Sequence, residues 1–194
     1  MKLHYKGKFD GKEETLPQTE HRPGAVMFKE PETKRFTLIA NIGALVLAIP
    51  LLVLFFWRGS MTFSPDTVWM IWLGCVLSLA CAVPHEFLHA ICFKDDVYFY
   101  TWLKRGVLFV MGTEDMTKGR YVFMSLLPNL VFGVVPFLLF LVLPNLTWAG
   151  MLGVLAIASG FGDYINIYHA LTQMPKGALT YMYGFHSYWY LPEK

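Results

Sequence analysis

Long apolar blocks alternate with short polar breaks along this chain. A polar stretch at residues 1–35 gives way to an apolar run from Phe36 to Trp57, and further runs follow from Thr67 to Phe93, from Tyr121 to Leu143 and from Trp148 to about Thr172. Each run reaches the roughly 20 residues that a helix needs to cross the hydrocarbon core of a bilayer, so the pattern predicts four transmembrane helices. The short loop from Gly59 to Asp66 and the tight Pro144–Asn145 turn make the paired spans antiparallel neighbours. Pro50 predicts a kink in the first span.

One stretch has a different rhythm. In VYFYTWLKRGVLFVMG, β-branched and aromatic residues flank Lys104, Arg105 and Gly106, which predicts a hairpin with strands Val97–Leu103 and Val107–Met111. Pro17, Pro23, Gly24 and Pro31 break up residues 1–35, read as a cytoplasmic tail with little regular structure. Residues 173–194 read as a C-terminal tail. The expected fold is an all-α integral membrane protein: a four-span domain at 36–172 with a short β-hairpin insert at 97–111.

Composition agrees with the pattern. The 194 residues are 55% hydrophobic and 15% charged, with a mean hydropathy of +0.43, which excludes an ordinary water-soluble globule. The net charge of +2 gives no sign of a nucleic-acid partner, but the placement of charge is informative. Basic residues gather before the first run, between the second and third (Lys94, Lys104, Arg105, Lys118, Arg120) and after the fourth (Lys176, Lys194), whereas the other loops hold Arg58. The positive-inside tendency then predicts a multi-pass protein of the cell membrane with both termini cytoplasmic. The first apolar run begins too late, and after too many acidic residues, for a signal peptide, so the N-terminal segment is expected to stay on the chain. Cys75, Cys81 and Cys92 all lie in the second run and read as unpaired, small apolar residues.

The second run contains AVPHEFLHAICF. Imidazole and carboxylate groups are costly at hydrocarbon depth and mark a functional site there. Four residues apart on a helix, His85 and His89 share a face, and Glu86 reaches its edge, so both rings can address one metal ion with a carboxylate beside it. Zinc accepts imidazole and, in catalytic sites, keeps one position open for a water that it acidifies. Glu86 would take a proton from that water and pass it to the leaving amine of a peptide. So short a motif also arises by chance, and on a soluble helix His and Glu simply face solvent. Inside an apolar run that outlet is closed.

A third protein ligand is needed. Asp163, in SGFGDYINIYHA, is the only acidic residue of the fourth run, and coordination would answer the cost of burying it. Asn166, three residues on, shares its face and could orient ligand or substrate. His169, six residues beyond Asp163 and turned away around the helix, is a rival ligand, as is Cys92. Glu114, Asp115 and His186 read as solvated. Asn129, next to Pro128 in SLLPNLVFG, reads either as the satisfied amide of a helix kink or as a partner for the backbone of an unwound substrate. At about 1.5 Å per residue, His85, His89, Asn129 and Asp163 fall near one depth.

Four spans, HEFLH on the second, a sheet-like insert, a Pro–Asn step in the third and a Gly–Asp step in the fourth resemble the bacterial membrane family of putative zincin peptidases. The likeness covers roughly residues 36–172 and is similar, more distantly, to site-two intramembrane metalloproteases. There, two His of HExxH and an Asp of a later span hold zinc and the Glu is the base, which implies His85, His89 and Asp163 as ligands and Glu86 as base. The chain departs from that family's Gly-Pro-x-x-Asn pattern, with Leu127 in place of the Gly and Pro128 directly before Asn129, and Tyr164 follows Asp163 where a Gly is usual.

The expected function is therefore zinc-dependent hydrolysis of peptide bonds, within or beside the membrane near its cytoplasmic face, in a membrane-anchored peptide or protein. The insert would add a substrate strand to its edge. Two alternatives are a catalytically inactive zincin-like scaffold and a metal-ion transporter, although few intramembrane carboxylates or histidines beyond Asp163 and His169 are present to form a path. His, His and Asp also suit iron or cobalt.

Overall fold

The computed structural model of the protein describes residues 1–59, 64–102, 104 and 106–193. Residues 60–63 of the expected first loop, and Leu103 and Arg105 of the expected hairpin, lie outside the described residues. Apolar runs form helices throughout, and the places where they break follow from proline and glycine. Helix α1 (Thr33–Gly59) is continuous through Pro50. Helix α2 (Pro65–Ala80) starts where the Ser64 hydroxyl accepts the Thr67 N–H at 3.2 Å and proline fills the first turn. Helix α3 (Ala82–Ala90) leaves α2 at 41°. Pro84 has no N–H for the Ala80 carbonyl four residues back, and its ring crowds that carbonyl, so the run breaks just before HEFLH.

The third run holds α4 (Lys118–Pro128), a π-helical segment (Asn129–Val134) and α5 (Val135–Val142), one continuous stretch long and apolar enough to cross a membrane. The fourth divides into α6 (Thr147–Ser159) and α7 (Phe161–Gln173), bent by 48° at the Ser159–Gly160 pair. Among the described residues, two helices are long and apolar enough to span a bilayer. There are up to four spans if each bent pair counts as one.

The all-α expectation is corrected by two β-sheets. One has the order β1–β3–β4: β1 (Lys2–Lys8) runs parallel to β3 (Asp96–Trp102), and β3 pairs antiparallel with β4 (Val107–Met111), Phe99 facing Val110. The other has the order β2–β7–β6–β5, with β2 (Val26–Met27), β5 (Met116–Thr117), β6 (Leu179–Tyr183) and β7 (His186–Tyr190). The segments read as tails thus supply four strands. In β1, KLHYKGK, lysines interrupt the apolar alternation, and the strand is held by backbone pairing to β3 that its own sequence does not announce. In LTYMYGFHSYWY the aromatic and β-branched alternation suits a hairpin, and Gly184 takes the positive φ of 56° that its turn needs.

Two compact units result, and the chain passes from one to the other just before α1 and inside α3, α4 and α7. In the unit formed by 32–85 and 126–165, α6 packs on α1, α2 and α5 around Phe55, Phe137, Phe140, Met151 and Val154. Small residues permit the approach: a Cβ on Gly74 would lie 2.6 Å from the Trp148 carbonyl oxygen. The outward residues Leu45, Val53, Trp57, Trp72 and Leu79 are large, apolar and exposed. The unit formed by 1–31, 86–125 and 166–194 has one core of Phe28, Phe93, Val97, Met116, Tyr121 and Met124 and another of Phe9, Leu16, Tyr100 and Met111.

Candidate metal centre

Helix α3 alone gathers three donors. Ligand atoms of His85, Glu86 and His89 lie within 4.8 Å of one another, as an i, i+1, i+4 pattern allows. His89 is buried, and its Nδ1 lies 2.9 Å from the Met124 carbonyl oxygen. A carbonyl only accepts, so Nδ1 carries the proton and donates, which leaves the Nε2 lone pair for a metal. Glu86 Oε2 accepts the backbone N–H of Val110, on β4, at 3.0 Å. That N–H is directed away from β3, so the carboxylate lies along the outer side of β4.

Asp163 stands in the first turn of α7, just past the break at Gly160. Its Oδ2 lies 3.4 Å from His85 Nε2 and accepts the Asn129 side-chain amide at 2.9 Å. Two ligand atoms each about 2.1 Å from one tetrahedral ion would be about 3.4 Å apart, so the separation suits a shared cation. Two imidazoles and a carboxylate are also the donor types that zinc takes in catalytic sites. The residues therefore fit the metal that the motif implies.

The other candidates stand differently. Asn166 is half-buried one turn beyond Asp163 on α7. His169 is buried, and its ring stacks on Phe28 with centroids 6.3 Å apart. The Cys92 thiol, in the turn just past α3, donates to the Leu88 carbonyl of that helix at 3.5 Å. Three side chains read as solvated are engaged. The Glu114 side chain is 5% exposed, pairs with Arg120 at 2.5 Å and accepts the N–H groups of Lys94 and Asp95 just after α3. Asp115 accepts from Arg22 and from the Tyr190 hydroxyl, and His186 Nδ1 lies 3.0 Å from Glu30. The partners of Asp115 and His186, Arg22 and Glu30, lie far away in sequence, so no local pattern announces these contacts.

Three parts of the site carry no side-chain motif, being backbone groups and a glycine: the Met124 carbonyl, the Val110 N–H, and Gly160, where a Cβ would lie 1.6 Å from Asn129 Oδ1. Pro128, four residues after Met124, was the available signal for the first.

A family model described as "Putative zincin peptidase" matches residues 78–179, more than half of the chain, including α3 and Asp163. No curated protein and no solved structure matches the chain.

Proposed function

The chain belongs to the family of putative zincin peptidases, and from that premise we propose that it is a zinc-dependent endopeptidase embedded in the cell membrane. It hydrolyses peptide bonds within or beside the bilayer, near the cytoplasmic face. One observation carries the reading: the carboxylate of Asp163 lies 3.4 Å from the ring of His85, on the helix that bears the rest of HEFLH. His85, His89 and Asp163 are the ligands in this reading. A divalent cation held there supplies Lewis-acid activation of water.

Glu86 does the proton work. Its carboxylate takes a proton from the attacking water as the oxygen adds to the peptide carbonyl carbon, and returns it to the amine nitrogen as the C–N bond breaks. Its place along β4 supports a mode of substrate delivery. Strand β4 is paired on one side by β3, and an extended substrate segment added to its other side would run past Glu86. The substrate is then a membrane-anchored peptide or protein whose scissile segment is drawn out of helix.

The exposed apolar faces of α1 and α2 support a lipid environment, since Leu, Val and Trp side chains in such numbers are suited to acyl chains and not to water. In this reading each bent pair is one broken span, which makes four spans with both termini cytoplasmic.

The test is Glu86→Gln, with metal content and cleavage of a membrane-anchored peptide measured on the same preparation. The reading expects wild-type zinc and no cleavage. Unchanged cleavage would remove Glu86 from the chemistry, and a wild-type protein that binds zinc but cleaves nothing would leave a scaffold.

A further inference from the structure

The proposed hydrolysis leaves the Pro128–Asn129 step without a task, and its contacts suggest one. Asn129 is 1% exposed. Its Nδ2 donates to Asp163 Oδ2 at 2.9 Å, and its Oδ1 is seated over Gly160, where a Cβ would stand only 1.6 Å away. The side chain is therefore wedged between the α6–α7 break and the carboxylate. It also opens the π-helical segment, a widening of the helix that is frequent at functional sites.

Pro128 acts in the other direction along the helix. In a regular helix the N–H of residue 128 would bind the carbonyl of residue 124. Proline has no N–H, and the Met124 carbonyl takes the Nδ1–H of His89 instead. Two neighbouring residues of the third run thus bear on two ligands that come from different helices.

From these contacts we propose that the Pro128–Asn129 step is a positioning device for the metal centre. Pro128 releases the Met124 carbonyl to fix the tautomer and tilt of His89, and Asn129 fixes the carboxylate of Asp163. The inference rests on the metal-centre reading above and gives Asn129 to a ligand rather than to substrate. Removing outer partners of this kind costs about 10- to 100-fold in metal affinity.

The experiment uses the full chain in detergent, with zinc affinity from competition against a chromophoric chelator and the visible absorption of cobalt bound in place of zinc. Asn129→Ala and Pro128→Ala should each weaken zinc about 10- to 100-fold and shift the cobalt bands. Gly160→Ala should match Asn129→Ala, because the added methyl group would meet the Asn129 side chain first; should it fail to fold, the other two variants carry the test. If Asp163→Ala loses zinc while Asn129→Ala and Pro128→Ala bind zinc and cobalt as the wild type does, the positioning role is overturned and the centre stands. A raised KM at unchanged zinc affinity would overturn it too, returning Asn129 to the substrate. If Asp163→Ala binds zinc like the wild type, the centre itself fails and the inference falls with it.

Discussion

The carboxylate of Glu86 accepts the backbone N–H of Val110 at 3.0 Å, which gives one side chain both a fold contact and a chemical task. The two separate by substitution. Gln keeps an acceptor oxygen for Val110 but cannot serve as a base, whereas Ala loses both. Glu86→Gln should keep wild-type stability, while Glu86→Ala should be about 1 kcal/mol less stable, the cost of a partly buried donor left without its partner. Both should lose at least about 100-fold in turnover. Unfolding curves in detergent and a cleavage assay on the same samples check this.

Metal binding should appear as stability. A ligand bound only by the folded state adds about 2.7 kcal/mol when present at 100 times its Kd. Zinc should therefore raise the unfolding midpoint of the wild type, a chelator should reverse the rise, and His85→Ala and Asp163→Ala, which change the two groups 3.4 Å apart, should abolish it. A zinc-induced shift surviving in both variants would place the ion elsewhere.

What could be read from the sequence divides along a physical line. HEFLH was legible because its geometry is internal to one helix, and Asp163 because an isolated acid in an apolar run is conspicuous. The hairpin strands β3 and β4 were legible from their aromatic and β-branched alternation. By contrast, β1 depends on pairing with β3 some 90 residues away, and no local pattern encodes that partner. The two bends had visible causes in Pro84 and in Ser159–Gly160, but run length alone draws a straight span through them. Asn129 stands out in its apolar run, yet the sequence leaves its partner open, because an amide serves substrate or carboxylate equally well until Gly160 and Asp163 are seen beside it.

Glu114 anchors the segment that follows α3. It pairs with Arg120, whose guanidinium also donates to the Cys92 carbonyl, and it accepts the N–H groups of Lys94 and Asp95. Glu114→Ala would leave a largely buried guanidinium without its counter-charge and two backbone donors without an acceptor. Breaking such a pair costs about 3–5 kcal/mol. Because the acid binds just past His89, zinc affinity should fall along with stability. Denaturant titration with and without zinc measures both.

Two glycine-to-alanine changes should act in opposite directions. At Gly74 a Cβ would stand 2.6 Å from the Trp148 carbonyl oxygen and 2.7 Å from the Met151 Cβ. Backbone cannot give way as a flexible side chain can, so α2 and α6 must separate, and overpacking of this kind costs about 1–3 kcal/mol. At Gly119, in the first turn of α4, a Cβ meets nothing within 4 Å, so alanine lowers the entropy of the unfolded chain at no steric cost and should stabilise by up to about 1 kcal/mol. Since both changes add one methyl group to a helix, a difference in sign isolates close helix approach from helix propensity. Equal effects in unfolding measurements would show that the α2–α6 contact does not depend on a small residue at 74.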